Sequence, residues 1–154
     1  MSTPLPPILL SLEQRRQIEA DGVKAFPNEC CGVIYGRDID GRRIVERLES
    51  VSNAFASGEQ YHRFSISAET LMKAEKFAAE REQLVLGFYH SHPDHPARPS
   101  EYDREHGWPF YSYVIVSIMS RKPAAMTSWL LNERTEQFDE QRIETRNGKE
   151  ARQP

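Results

Sequence analysis

Long hydrophobic runs are absent from this sequence of 154 residues. Its mean hydropathy is −0.67, and its apolar stretches are only a few residues long, whereas a membrane-spanning helix needs about 18. An excess of positive charge is absent as well, because 20 Lys and Arg residues stand against 23 Asp and Glu residues, for a net charge of −3. This balance disfavours nucleic-acid binding as the main function. No positive residue precedes the short apolar patch near the N-terminus, so we expect neither a signal peptide nor a membrane partner.

Cysteine is scarce too. The two cysteines, Cys30 and Cys31, are adjacent, so they cannot close a loop or supply the Cys-x-x-Cys pair of a structural zinc site. We therefore expect a reducing, cytoplasmic location and a packing role for both thiols. The length corresponds to one domain. We expect that domain to cover residues 1–145 and residues 146–154 to form a disordered tail.

Helix and strand signals are interleaved along the chain. Ser11 and Gln14 have the spacing of a capping box, which predicts a helix that ends before Pro27. Its inner face is expected to carry Leu12, Ile18, Ala25 and Phe26. A second helix is predicted from a cap at Ser67 to about residue 82, and a short third helix from a cap at Ser100.

Strands are expected between and after these helices. They are predicted at 31–35, 43–51, 64–66, 84–89, 111–119, 126–131 and 138–143, with a hairpin turn at Asp40-Gly41 and a polar loop at 52–61. Helices mixed with antiparallel hairpins near the C-terminal end indicate an α+β fold, a mixed β-sheet flanked by helices.

Histidine is concentrated in one place, at the end of the buried strand predicted at 84–89. In extended backbone, residues two apart point to the same side, so His90 and His92 can converge on one ion. Imidazole is a common zinc ligand. A His-x-His pair alone is weak, because it arises by chance in roughly one such chain in six. His62, His95 and His106 are left without a functional assignment, since a histidine outside such a cluster is more often a solvated surface residue.

Two acidic residues extend the histidine pair. If Ser100 caps a helix, Asp103 lies at its third position, and its carboxylate can face back over the loop. His90, His92 and Asp103 would then form three protein ligands with one position left for water, the pattern of catalytic zinc. Glu29, at the start of the strand predicted at 31–35, is a candidate proton carrier.

Simpler readings exist for each of these residues. A helix cap alone is the favoured interpretation of Ser100 and Asp103 when the pair is taken in isolation. The histidines are also compatible with a solvated strand end, and Glu29 with an ordinary loop acid. A zinc-dependent base deaminase is a further class of candidate, but its His-x-Glu and Pro-Cys-x-x-Cys motifs are missing.

The segment Pro27-Asn28-Glu29-Cys30-Cys31-Gly32-Val33-Ile34-Tyr35-Gly36 resembles the glutamate motif of the JAMM (MPN+, JAB-type) zinc metallopeptidases. His90-Ser91-His92-Pro93, followed at the family's spacing by Ser100 and Asp103, resembles the second motif of that family. The resemblance implies the MPN fold, with a layering like that of cytidine deaminases. Only seven residues separate Asp103 from the strand predicted at 111–119, so the chain resembles the compact, stand-alone prokaryotic members.

The resemblance also implies an activity. It assigns one Zn²⁺ per chain to His90, His92 and Asp103, the acid/base role to Glu29 and oxyanion binding to Ser100. The implied substrate is an amide bond at the C-terminal tail of a ubiquitin-like β-grasp protein, above all a sulfur-carrier protein or its adduct. The loop at 52–61 is the expected grip on that tail. Deconjugation of a prokaryotic ubiquitin-like modifier is the alternative, and a metal-free MPN scaffold is a more remote one.

Overall fold

The structure, a computed structural model, describes residues 5–51 and 66–146. Within these ranges the helices are α1 (Leu12–Ala25), α2 (Ala68–Glu80) and α3 (Glu101–His106). The strands are β1 (Ile8–Ser11), β2 (Cys31–Ile39), β3 (Arg42–Val51), β4 (Leu84–Pro93), β5 (Ser112–Met119), β6 (Lys122–Asn132), β7 (Gln137–Gln141) and β8 (Ile143–Arg146). No helix of the described residues is long and apolar enough to cross a membrane.

The described strands form one mixed sheet in the order β7-β6-β5-β4-β2-β3-β1-β8. The β4/β5, β1/β3 and β1/β8 pairs are parallel and the others antiparallel. The strand β4 lies near the middle, and every one of its residues except Leu84 is buried. This confirms the expected α+β class and the expected buried strand.

One long helix packs on each face of the sheet. Ile18 of α1 packs against Leu86, Tyr89 and Val116 on one face. Ala74 and Ala78 of α2 pack against Phe88 and other side chains on the opposite face. Both helices begin at the predicted caps, since Ser11 forms a capping box with Gln14 and Ser67 accepts a hydrogen bond from Thr70.

The hairpin between β2 and β3 also forms where the sequence predicts it. Asp40 and Gly41 have φ values of 55° and 87°, the left-handed conformation that a two-residue turn of this kind requires at both central positions. The Asp38 side chain accepts a hydrogen bond from the Gly41 N–H at 2.8 Å.

Other expectations were wrong. The expected inner-face residue Leu12 is 52% exposed; it is the first residue of α1 and directly follows β1. The strand β1 was not predicted, and the strand predicted at 138–143 is two strands interrupted at Arg142. Arg146, assigned to the tail, is instead the buried last residue of β8. Residue 66 is not in a strand; the rest of the expected strand at 64–66, the loop at 52–61, His62 and the tail from 147 onward lie outside the described residues.

A buried polar network explains the break at Arg142, where the two ends of the sheet meet. The Gln141 side chain accepts hydrogen bonds from Ser112 and Ser128, at 2.8 and 2.9 Å, and donates to the Pro6 carbonyl at 3.0 Å. Arg43 donates to Ser112 and to the Leu86 carbonyl. These bonds link β5, β6 and β7 on one side to the start of the chain on the other.

Candidate metal centre

The central strand presents the histidine pair. His90 and His92 lie on one face of β4, and neighbouring residues Tyr89 and Ser91 lie on the other face, as strand alternation requires. The last β2 partner of β4 is Cys31, opposite His90. The β5 pairing continues to Pro93, so one side of β4 opens into a cleft at His92.

The short helix α3 brings a carboxylate to the same point. Ser100 and Asp103 form a reciprocal capping box, in which the Ser100 Oγ accepts from the Asp103 N–H at 3.0 Å and the Asp103 Oδ2 accepts from the Ser100 N–H at 2.9 Å. The cap interpretation is therefore correct. The same Oδ2 atom also faces the two histidines, so capping and clustering occur together.

Three ligand atoms form a nearly equilateral triangle. His90 Nε2 and His92 Nε2 are 3.2 Å apart, and Asp103 Oδ2 lies 3.3 Å from His92 Nε2 and 3.4 Å from His90 Nε2. Bonds of about 2.0–2.1 Å to a tetrahedral ion separate the ligand atoms by about 3.3–3.4 Å. The spacing of this triangle therefore suits an ion of that size.

The ring of His92 is held by its second nitrogen. His92 Nδ1 lies 2.9 Å from the Pro96 carbonyl oxygen, and a carbonyl can only accept, so Nδ1 carries the proton there. Nε2 then presents its lone pair to the triangle. Outer contacts of this kind are the usual way in which proteins orient a metal-binding histidine.

Glu29 completes the group from outside the strand. Ligand atoms of Glu29, His90 and His92 lie within 4.8 Å of one another, and all three residues are buried. Cys30 holds this segment in place, since its N–H donates to Ser91 Oγ at 2.8 Å and its carbonyl accepts from the Ser91 N–H at 3.3 Å. Glu29 is thereby fixed beside the open side of β4.

The electrostatics of the group are those of a buried acidic site. Burial, and after it the negative charge of Asp103, raises the pKa of Glu29 to about 9. Burial alone would also raise the pKa of Asp103, but the charge of His90 and hydrogen bonds from both histidines and the Ser100 N–H lower it overall. Burial lowers the pKa of His90. A cation placed among these groups would favour the ionised form of both carboxyls.

The structure brings all five predicted site residues together. Glu29, His92 and Ser100 line one cleft with His95, Pro96 and Arg98. His90 is fully buried, and Asp103, 3.3–3.4 Å from both histidines, lines a second pocket. Cys30 and Cys31 are free and buried, which fits the expected packing role. His95 and His106 are exposed, and the His106 ring stacks on Tyr102.

Sequence reasoning did not single out two residues of this region. Ser91 fixes the Glu29 segment through Cys30, and only its position between two histidines could have drawn attention to it. Arg98 lines the cleft, and its place two residues before Ser100 was the available signal.

The fold is of the α+β class, and its buried Glu-His-His group fits a metal site. The chain belongs to the family described as prokaryotic homologs of the JAB domain, which matches residues 12–132. The expected family resemblance is thereby confirmed.

Two individual relatives are similar to this chain over part of its length. A desampylase of Haloferax volcanii is 37% identical over 99 residues, covering 64% of this chain and 68% of that protein. The tail tip assembly protein K of Escherichia phage N15 is 33% identical over 87 residues, which covers 56% of this chain but only 31% of that protein.

Solved structures resemble the whole chain. A protein from Desulfitobacterium hafniense has a TM-score of 0.78 and 30% identity, with 96% of this chain and 99% of that chain covered. A Salinibacter ruber protein has a TM-score of 0.68 and 33% identity, with 92% of each chain covered. A JAB1/MPN domain protein from Archaeoglobus fulgidus has a TM-score of 0.53 at 21% identity, covers 90% of this chain and 98% of its own, and shares the fold.

Proposed function

We propose that this chain is a zinc-dependent hydrolase that cleaves amide bonds at the C-terminal tails of ubiquitin-like β-grasp proteins. The observation that carries the proposal is the triangle of His90 Nε2, His92 Nε2 and Asp103 Oδ2, with sides of 3.2 to 3.4 Å. Two imidazoles and one carboxylate at this spacing suit Zn²⁺ and leave one tetrahedral position open. When bound there, zinc would polarise the scissile carbonyl and lower the pKa of water to about 7.

Glu29 acts as the general base and then the general acid. Its carboxylate lies within 4.8 Å of the two histidines on the cleft side, where it can take a proton from the attacking water and deliver it to the leaving nitrogen. In the metal-free chain, burial and the charge of Asp103 raise the pKa of Glu29. A divalent cation held by the two histidines and Asp103 would counteract both effects and keep the Glu29 carboxylate available as a base.

Ser100 stabilises the oxyanion. Its Oγ accepts from the Asp103 N–H, which orients the side chain and leaves its hydroxyl proton to be donated into the cleft. Asp103 Oδ2 in turn accepts from the Ser100 N–H. The cap therefore aligns a ligand and an oxyanion donor as one unit.

The substrate assignment is supported by the relatives and by the shape of the chain. The similarity to a desampylase supports cleavage of bonds to ubiquitin-like modifiers. Only five residues, 107–111, separate α3 from β5, so nothing beyond this short turn is available there to grip a folded partner. A flexible C-terminal tail is then the main part of the substrate that the enzyme binds, as expected for a sulfur-carrier protein or its adduct. Deconjugation of a ubiquitin-like modifier is the second candidate function.

Metal analysis tests the ligand set. We expect about one zinc per chain in the wild type, loss of zinc and activity in His92→Ala and Asp103→Ala, and full occupancy in the control His106→Ala, whose ring stacks on Tyr102 instead. Chelation should abolish turnover and added Zn²⁺ should restore it. Full zinc occupancy in His92→Ala would refute the ligand assignment, and a wild-type chain that takes up no zinc would indicate the metal-free scaffold.

Turnover of Glu29→Gln tests the acid/base role. Glutamine conserves the shape but cannot accept the water's proton, so we expect normal zinc content with turnover reduced by about 10²-fold or more. Loss of zinc in this variant would instead make Glu29 a ligand. The substrates are a β-grasp carrier extended beyond its tail, an isopeptide-linked modifier, and a peptide with a scrambled tail. Equal rates on all three would contradict the proposed specificity.

A further inference from the structure

Among residues 5–51 and 66–146, Arg98 is the one arginine that lines the cleft of the candidate metal centre. It shares that cleft with Glu29, His92 and Ser100. On its other side it lines a groove that continues over β5 and β6 to Trp129 and Glu140. Arg98 therefore stands on the ridge between the reacting centre and the surface next to it.

The loop that carries Arg98 is held rigidly. Pro93, Pro96 and Pro99 restrict its backbone. Hydrogen bonds anchor it to the sheet, since the His95 carbonyl accepts from the Ser117 hydroxyl at 2.6 Å and the Ala97 carbonyl from the Thr127 hydroxyl at 2.6 Å. A side chain on such a loop loses little further backbone entropy when it binds a ligand.

Arg98 is exposed, and its guanidinium forms no ion pair with any residue in the ranges 5–51 and 66–146. Most other arginines in this part of the chain are engaged. Arg37, Arg42, Arg43, Arg104 and Arg142 form ion pairs, and Arg47, Arg81 and Arg121 lie over aromatic rings. Glu140 lines the far groove, but no ion pair joins it to Arg98.

A guanidinium carried by an anchored loop at the edge of the cleft suits a carboxylate, which it can bind through two parallel N–H···O bonds. If the scissile bond follows a glycine tail, the tail has no charged side chain near the metal, so the nearest anion belongs to the leaving group. An amino acid linked through its α-nitrogen has its α-carboxylate two bonds from that nitrogen. A lysine linked through its side chain has none nearby.

We propose that Arg98 is a specificity-determining residue that binds the α-carboxylate of a single amino acid attached directly to the tail. This inference rests on the proposed function and narrows it. The preferred substrate is then an α-linked amino-acid adduct of a β-grasp carrier, and lysine isopeptides are cleaved less well.

Matched substrates test this role. One β-grasp carrier is prepared in four forms, each with a single amino acid added to its tail. In the first two forms the same residue is linked through its α-nitrogen and ends in a free α-carboxylate or in an α-carboxamide. The third form carries an α-linked aspartate whose α-carboxyl is a carboxamide, and the fourth carries a lysine linked through its side chain. With zinc-loaded wild type we expect kcat/KM for the free carboxylate to exceed that for the carboxamide by about ten-fold, mainly through KM. Arg98→Ala should remove this preference and Arg98→Lys should restore part of it. Arg16→Ala, an exposed arginine of α1, is the control and should behave like wild type.

Binding separates recognition from turnover. Calorimetry with the Glu29→Gln protein should show tighter binding of the free carboxylate than of the carboxamide, and this difference should vanish in Glu29→Gln/Arg98→Ala. Two results would overturn the Arg98 role while the proposed function stands. One is an equal loss of kcat/KM for the free carboxylate and the carboxamide in Arg98→Ala, and the other is a wild type that cleaves these two substrates at equal rates. A preference for the aspartate carboxamide over the free α-carboxylate would overturn the α-carboxylate assignment. No cleavage of any form by zinc-loaded wild type would refute the proposed function itself.

Discussion

The Glu29→Gln substitution measures how much the ionisation of this buried carboxyl lowers the free energy of unfolding of the metal-free protein. Burial and the charge of Asp103 raise the pKa of Glu29 from 4.5 to about 9, so the folded chain retains a proton that the unfolded chain releases. The contribution of the protonated Glu29 carboxyl to the free energy of unfolding is therefore fully present below pH 4.5 and is lost as the pH rises towards 9. Glutamine does not titrate, so the wild type should lose stability relative to Glu29→Gln throughout this interval.

The magnitude follows from linkage. One proton held by the folded state and released by the unfolded state changes the free energy of unfolding by about 1.4 kcal/mol per pH unit. Between pH 6 and pH 8 the difference between wild type and Glu29→Gln should therefore change by about 3 kcal/mol. His90 and Asp103 are present in both proteins, so most of their own titration cancels in this difference.

Urea denaturation in the presence of a chelator, followed by tryptophan fluorescence at pH 6, 7 and 8, provides the measurement. Glu80→Gln, at an exposed position near the end of α2, is the matched control and should show no such slope. A constant difference between wild type and Glu29→Gln over this range would refute the reasoning. It would mean that the Glu29 carboxyl lies in water and not in the buried group.

Three further predictions concern single positions. Ser100→Asn keeps an N-cap acceptor for the Asp103 N–H, so the free energy of unfolding should change by less than about 1 kcal/mol. Turnover should fall by about 10²-fold or more if the Ser100 hydroxyl binds the oxyanion. Turnover equal to that of the wild type would leave helix capping as the only role of Ser100. Gly32→Ala would place a Cβ 2.1 Å from the Tyr89 ring and should destabilise the fold by about 1–3 kcal/mol in thermal unfolding, and an unchanged melting temperature would show that the ring can move aside. Gln141→Ala would remove the acceptor of two buried serine hydroxyls and the donor to the Pro6 carbonyl and should cost about 3 kcal/mol or more in urea denaturation. A loss below about 1 kcal/mol would show that water replaces the side chain.

Local chemistry determined much of this protein in advance. The caps at Ser11, Ser67 and Ser100 and the Asp40-Gly41 hairpin depend on residues no more than three apart, so short sequence patterns contain the whole interaction. The buried strand β4 was predictable for a similar reason, because a continuous run of apolar residues is stabilised by burial in the core. Motif spacing likewise identified the five residues of the candidate site and the family.

Long-range pairing was decided only in three dimensions. The strand β1 has only four residues, Ile8–Ser11, and its backbone pairs with β3 and β8, which lie far along the chain. Its short apolar run does not by itself distinguish a strand from another buried segment. The split at Arg142 has the same origin: Gln141 is tied to β5 and β6, while β8 pairs with β1 on the opposite edge. No periodicity within 138–143 distinguishes one strand from two.

The site itself divides along the same line. Its residue types and spacing belong to the sequence, since His-x-His on a strand and a Ser-x-x-Asp cap are local patterns. Tertiary structure decided that Glu29 lies beside the histidines, because Cys30 and Ser91, 61 residues apart in the chain, share a buried hydrogen bond. It also decided that Arg98 faces the cleft. Such proximity depends on strand register and loop anchoring, which are set by the packing of the whole sheet rather than by neighbouring residues.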